Sequence, residues 1–234
     1  MRPQWYLKIP KVTSVALRLD SSLTKLYHEH MFGPQVLETI NSPINGNLEV
    51  RRWGKDIYIT TGGLTQSGGL IKELWEKTLK RFKIADSRFK KWLILGLATG
   101  TAAKIISDKY QPVKIVGVEI DSKMLDIGHR YFDLDAIPNL KIINQDANLY
   151  ALNSKPCFDF VLVDLYLGDQ LPKFVYTPRF IKAIKRISKM AIFNHLFYDA
   201  GKKERARELV KTLESHFYQV SLVRELTNLL IICS

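Results

Sequence analysis

The chain holds only two cysteines, Cys157 and Cys233, with no CxxC spacing and no histidine nearby in sequence. That scarcity excludes a disulfide scaffold and a cysteine-rich metal site, and it predicts reduced, buried thiols of a cytoplasmic protein. No apolar run approaches the roughly 18 to 20 residues a membrane-spanning helix needs. The first residues, with Pro3, Lys8, Pro10 and Lys11, lack the apolar stretch of a signal peptide. No repeat and no low-complexity tract is present, and the full GxGxxG fingerprint of a dinucleotide site is missing. His28, Glu29 and His30 form an HxH pair without further ligands at defined spacing, so no metal is expected.

What is present is a globular composition in 234 residues, 46% hydrophobic and 25% charged, enough for one large α/β unit with a small appendage. Lys and Arg number 35 against 23 Asp and Glu, a formal charge of +12. Such an excess suggests an anionic partner, nucleic acid included. It is densest at Lys72, Lys77, Lys80, Arg81, Lys83, Arg88, Lys90 and Lys91, interleaved with Leu70, Leu74, Leu79 and Phe82 as on one amphipathic helix. Such a run is ordinarily a solvated face.

From residue 92 onward apolar runs alternate with helical patterns. Strands are predicted at 92–97, 113–119, 140–144, 158–163 and 190–196, with helices at 101–110, 122–132, 177–188 and 201–217 between and after them. Two last strands, 220–223 and 228–232, join by a tight connection and give the parallel sheet an antiparallel finish. Upstream, 35–40, 47–52 and 56–60 read as a small β-meander, and the glycine-rich stretch 61–69 reads as a link to the basic helix. The expected division is 1–68 for an arm and small β-element, and 69–234 for the nucleoside-binding unit.

Three features fall at the carboxyl ends of successive strands, where open α/β sheets bind ligands. The turn Gly96-Leu97-Ala98-Thr99-Gly100-Thr101 lets backbone approach a ligand and offers helix N–H groups to a polar tail. Glu119 closes the next strand, where a carboxylate can accept both hydroxyls of a ribose, with Ile120 beside it. Asp146, with Ala147, follows the third strand, where a carboxylate can accept an adenine amine. Each has a plainer alternative: Glu119 and Asp121 as helix caps, Asp146 as a turn residue. Their conjunction describes a nucleoside site.

Gly62-Gly63-Leu64-Thr65-Gln66-Ser67, Leu95-Gly96-Leu97-Ala98-Thr99-Gly100, Gly117-Val118-Glu119-Ile120-Asp121, Asp146-Ala147 and Val163-Asp164-Leu165-Tyr166-Leu167-Gly168 together resemble the spermidine synthase family, a branch of the S-adenosylmethionine-dependent methyltransferase fold. The resemblance covers about residues 35–234. It implies an α/β, Rossmann-like methyltransferase fold: a mostly parallel seven-stranded sheet with an antiparallel C-terminal strand, preceded by the small β-meander. It implies S-adenosylmethionine or its decarboxylated form as cofactor, no metal, a homodimer, Gln66 against the nucleoside, and Asp164 as the group that deprotonates or aims an attacking amine. Tyr166 is a candidate for the acceptor pocket, or for the core.

The departures from that pattern bear on the reaction. Thr99 stands where the polyamine-making members carry an aspartate for an aminopropyl ammonium. Trp75 and Lys77 stand where a tyrosine and a glutamate would grip a diamine, and the acids after the fourth strand are spaced as Asp164 and Asp169. A lysine in that place opposes a dication. The expectation is therefore methyl transfer to a small-molecule or anionic acceptor. Aminopropyl transfer and a non-catalytic nucleoside- or anion-binding module are the alternatives.

Overall fold

The computed structural model describes residues 33–81, 90–110, 112–155 and 157–234. The HxH pair, the stretch before residue 33 and Phe82, Lys83 and Arg88 of the basic run lie outside the described residues.

A four-stranded antiparallel sheet comes first: β1 (Gln35–Ser42), β2 (Gly46–Trp53), β3 (Asp56–Thr61) and β4 (Leu64–Gly68). The fourth strand corrects the reading of 61–69 as a link. Thr61 pairs with Leu64 across Gly62 and Gly63, both at positive φ, the backbone a two-residue hairpin demands. Glycine there makes a turn between strands and not a tether.

After α1 (Gly69–Arg81) come β5 (Lys91–Leu95), α2 (Thr101–Tyr110), β6 (Lys114–Glu119), α3 (Ser122–Tyr131), β7 (Leu140–Asn144), α4 (Ala147–Asn153), β8 (Phe158–Val163), α5 (Pro178–Ile187), β9 (Ser188–Leu196), α6 (Ala200–Glu214), β10 (Val220–Glu225) and β11 (Asn228–Cys233). Their sheet has the order β10-β11-β9-β8-β5-β6-β7. The pairs from β9 through β8, β5 and β6 to β7 are parallel, and β11 runs antiparallel to both β9 and β10. Strand alternation divides the core: Leu93 and Leu95 of β5 face α5 and α6, while Trp92 and Ile94 face α1 and α2. Each strand of the middle is thus apolar on both faces, which is why it reads as an unbroken hydrophobic run.

The small sheet packs on α3 of the large unit and is bonded to it from both ends, through Asp121 and through Ser67 and Gly68 of β4 to Thr99 and Thr101. Leu48, Val50 and Ile59 pack on Met124 and Ile127 of α3. Asp121 caps α3 by accepting from the Lys123 N–H, and its other oxygen accepts from Ser42 Oγ at 2.5 Å and Asn45 Nδ2 at 2.6 Å.

Two expectations need correction. Cys233 is buried and its thiol is pushed up to about 12 by burial, but Cys157, next to the start of β8, is exposed. The basic run is not one helix: Lys90 and Lys91 lie at the start of β5, where their backbone N–H groups donate to Asp159. No described helix is long and apolar enough to cross a membrane.

Candidate functional site

A cavity of about 620 Å³ opens over the carboxyl ends of β5, β6, β7 and β8, roofed by α1, β4 and the β10–β11 turn. Such a volume holds a nucleoside and a small second substrate. Gln66, Gly96, Glu119, Ile120, Asp146, Ala147, Asp164 and Tyr166 all line it. Thr99 and Gly100 do not. Thr99 is fully buried with its hydroxyl 2.6 Å from Ser67 Oγ, and Gly100 backs onto Leu134 and Ile137. These two shape the turn from behind.

The turn itself is built by the chain around it. Gly96 sits at φ +89, and a Cβ there would lie 2.1 Å from the Asp164 carbonyl oxygen, so only glycine lets β5 and β8 end side by side. Gly96 and Leu97 both donate to the Val118 carbonyl. Glu119 holds the next residues: one carboxylate oxygen accepts from the Ala98 N–H at 2.8 Å, the other from the Asp121 N–H at 2.9 Å. Burial raises its pKa, and those two N–H groups oppose the rise. Glu119 is therefore a strut of the turn as well as a wall of the cavity. Asp146 likewise caps α4, one oxygen accepting from the Leu149 N–H at 2.8 Å, while it lines the cavity. Of the two acids proposed as helix caps, Asp121 caps α3 and Glu119 does not, while Asp146, proposed as a turn residue, caps α4 from the cavity wall.

Asp164 lines the cavity just past the end of β8. Its Oδ2 accepts from Trp75 Nε1 at 2.9 Å and its Oδ1 from Asn194 Nδ2 at 2.8 Å. Because a carboxylate only accepts, the Asn194 amide is oriented by it. Asn194 Oδ1 then accepts from Asn228 Nδ2 at 2.8 Å, and Asn228 Oδ1 from the Thr227 hydroxyl at 3.0 Å. A polarised chain of donors thus runs from the β10–β11 turn through two buried asparagines to the carboxylate. Burial raises the Asp164 pKa, and the Asn194 and Trp75 donors pull against it. Tyr166 donates to the Asn194 backbone carbonyl at 2.9 Å; burial, with Asp164 close by, holds its phenol well above its ordinary value. Gln66 reaches across to the Gly168 carbonyl at 3.3 Å, tying β4 to the loop after β8.

Three residues missed in the sequence matter here: Trp75 as a donor, Asn194 and Asn228. The available signal was Asn194 itself, a polar residue inside the apolar run Ala191 to Leu196. Lys77 requires a correction. It does not line the cavity; it is exposed and pairs with Glu73 at 2.6 Å and Glu225 at 3.9 Å. Asp169 also faces elsewhere, 2.6 Å from Lys202, which lowers its pKa. The described lining contains three carboxylates and no Lys, Arg or His. An anionic acceptor, expected from the chain's charge, would meet only like charge.

Which groups could this cavity hold? The carboxylates at the ends of β6 and β7, the glycine turn and the anionic floor fit a cationic adenine nucleoside. Among the described residues no cluster of His, Cys, Asp or Glu could hold a metal ion.

No family model matches the chain. It is 23% identical over 145 residues to a polyamine aminopropyltransferase of Vibrio vulnificus, covering 60% of this chain and 48% of that protein. It is 27% identical over 215 residues to polyamine aminopropyltransferase 2 of Aquifex aeolicus, covering 85% of this chain and 42% of the relative. The chain thus spans less than half the length of either. Among solved structures, a spermidine synthase in complex with the transition-state analogue AdoDATO superimposes with a TM-score of 0.70 at 15% identity, over 86% of this chain and 73% of the other. Human methyltransferase-like protein 13 in complex with SAH gives 0.56 at 22%, over 70% and 80%. These likenesses show the methyltransferase-like α/β fold and the chain's resemblance to the spermidine synthase family.

Proposed function

We propose that the chain is an aminopropyltransferase, carrying the aminopropyl group of decarboxylated S-adenosylmethionine to a primary amine. One observation carries this: the Asp164 carboxylate, held by Trp75 and Asn194, lies in a cavity whose charged walls are all acids. The relatives' names support the aminopropyl form. The acidic walls support it too, because intact S-adenosylmethionine brings a carboxylate among carboxylates. With Lys77 outside the cavity, one of the two grounds for methyl transfer falls away and Thr99 alone is left.

When bound, the sulfonium nucleoside supplies an activated carbon and a neutral thioether leaving group. The chain's residues do the rest. Glu119 and Asp146 hold the nucleoside half over β6 and β7. Asp164 accepts a proton from the ammonium of the acceptor, freeing the nitrogen lone pair that forms the new C–N bond as the C–S bond breaks. Burial makes Asp164 a stronger base than a free carboxylate, and its two donors oppose that rise and aim it. In this assignment residues 1–68 supply Gln66 and Asn45 to the rim, and residues 69–234 the nucleoside and acceptor halves. We carry the homodimer implied by the resemblance, and the cytoplasmic setting expected from the cysteines, into the same proposal.

Incubation with decarboxylated S-adenosylmethionine and a panel of primary amines should release methylthioadenosine, and Asp164→Ala should abolish it. Methyl transfer is the second reading, favoured by Thr99 in the glycine turn where the resemblance implies an aspartate. It predicts tighter binding of intact S-adenosylmethionine than of the decarboxylated form, and calorimetry with both separates the two. A thermal shift with neither nucleoside would leave only a non-catalytic module.

A further inference from the structure

The strand order divides the cavity into two halves of different chemistry. Glu119 and Asp146 end β6 and β7, on one side of the glycine turn. The other half lies over β8, β9 and β11. Its walls are Leu70 and Leu74 of α1, Leu167 and Phe174 after β8, and Leu226 of the β10–β11 turn. Asp164 is the one carboxylate among the described residues of that half, and it stands at the boundary with the nucleoside side. The polar groups there are already engaged. Tyr166 donates to the Asn194 carbonyl, and Asn228 bonds Asn194 and Thr227. Asp169 is turned out to Lys202.

Leu226 adds an independent observation. It is the first residue of the two-residue turn between Glu225 and Asn228, at φ +52, where glycine or asparagine is favoured. A leucine held in the left-handed region, with its side chain on the cavity wall, keeps an apolar surface at a cost in backbone energy.

We infer that the acceptor is a primary amine bearing a single ammonium on an apolar chain or ring, and not a diamine. Its ammonium pairs with Asp164, and its body lies on the leucine-lined half. The inference rests on the proposed function only in taking Asp164 as the group that meets the amine. A second ammonium among these side chains would be desolvated without a carboxylate partner. Each added methylene, by contrast, would leave water and strengthen binding about fourfold.

The test is equilibrium binding by calorimetry to the full chain, with and without methylthioadenosine, of butylamine, pentylamine, hexylamine and putrescine. Putrescine and pentylamine have the same number of heavy atoms and differ only in the far end. The expected result is affinity rising about fourfold per methylene, with putrescine weaker than pentylamine by roughly tenfold or more. Leu226→Asp, a residue tolerated at positive φ, should raise putrescine and lower pentylamine, a crossing that general damage to the fold would not give. Putrescine binding as well as pentylamine, or no amine binding at all, overturns the inference. Release of methylthioadenosine is scored separately: product formed best from putrescine refutes the acceptor class and leaves the transferase standing, whereas the amine ladder without product does the reverse.

Discussion

Replacing Trp75 by phenylalanine removes one N–H and leaves most of the ring. Trp75 is fully buried, and its Nε1 donates to Asp164 Oδ2 at 2.9 Å. A hydrogen bond to a charged acceptor contributes about 1.5–3 kcal/mol, and about 1.4 kcal/mol corresponds to one pKa unit. Burial already raises the Asp164 pKa and the donor opposes it, so its loss should raise the pKa further. Only the ionised carboxylate takes the proton of the incoming ammonium. The acid limb of the kcat–pH profile should therefore move to higher pH by about 1–2 units, with the alkaline plateau kept. Stability gives a second reading of the same bond. An acid whose folded pKa is raised loses its stabilising contribution as pH climbs through that pKa, so the difference between variant and wild type should be largest at neutral pH and shrink in acid. Leu79→Ala is the control, since Leu79 is fully buried in the same cluster and does not line the cavity. It should cost about 2–5 kcal/mol of stability and leave the acid limb in place. An unmoved limb in Trp75→Phe, or an equal shift in Leu79→Ala, would refute the assignment.

Three other substitutions probe the frame of the site. Gly96→Ala, with a Cβ 2.1 Å from the Asp164 carbonyl oxygen, should lower stability in urea titrations by more than about 3 kcal/mol. Gly168→Ala, also at positive φ but in open space, should cost only about 1 kcal/mol. Glu119→Gln puts an amide donor against either the Ala98 or the Asp121 N–H, at a cost of about 1–3 kcal/mol, and should shrink the thermal shift given by the nucleoside. Asp121→Ala removes the cap of α3 and the partner of Ser42 and Asn45, so hydrogen exchange should quicken in the β1–β2 turn before it does in β5 or β8.

The strands of the large sheet could be placed from sequence to within a few residues, most readily β5, β6 and β11, whose runs Trp92 to Leu95, Ile115 to Val118 and Leu229 to Cys233 are apolar on both faces. β4 escaped because Thr61 to Gly69 has the composition of a linker, and only pairing with β3 makes it a strand. α4 escaped because Ala147–Asn153 is 7 residues long, about two turns, too short to display a helical period. The acids at the strand ends were legible from spacing; their partners were not, since Trp75 meets Asp164 across 89 positions and Asn194 meets it across 30. Lys77 is the instructive error. Two residues beyond Trp75 on a helix of about 3.6 residues per turn, it points to the far side, while Leu70 and Leu74, four apart, share the cavity face.

The asparagine chain also fixes an order of assembly during synthesis. The glycine turn, Glu119, Asp146 and Asp164 have all been made by residue 164, before β9 and β11 are translated. Asn194 and Asn228, which aim the carboxylate, come from β9 and β11, the strands flanking the sheet's reversal of direction. A nascent chain that stops short of residue 228 carries the acid without its full orientation. The β10–β11 hairpin is thus the piece that finishes the base.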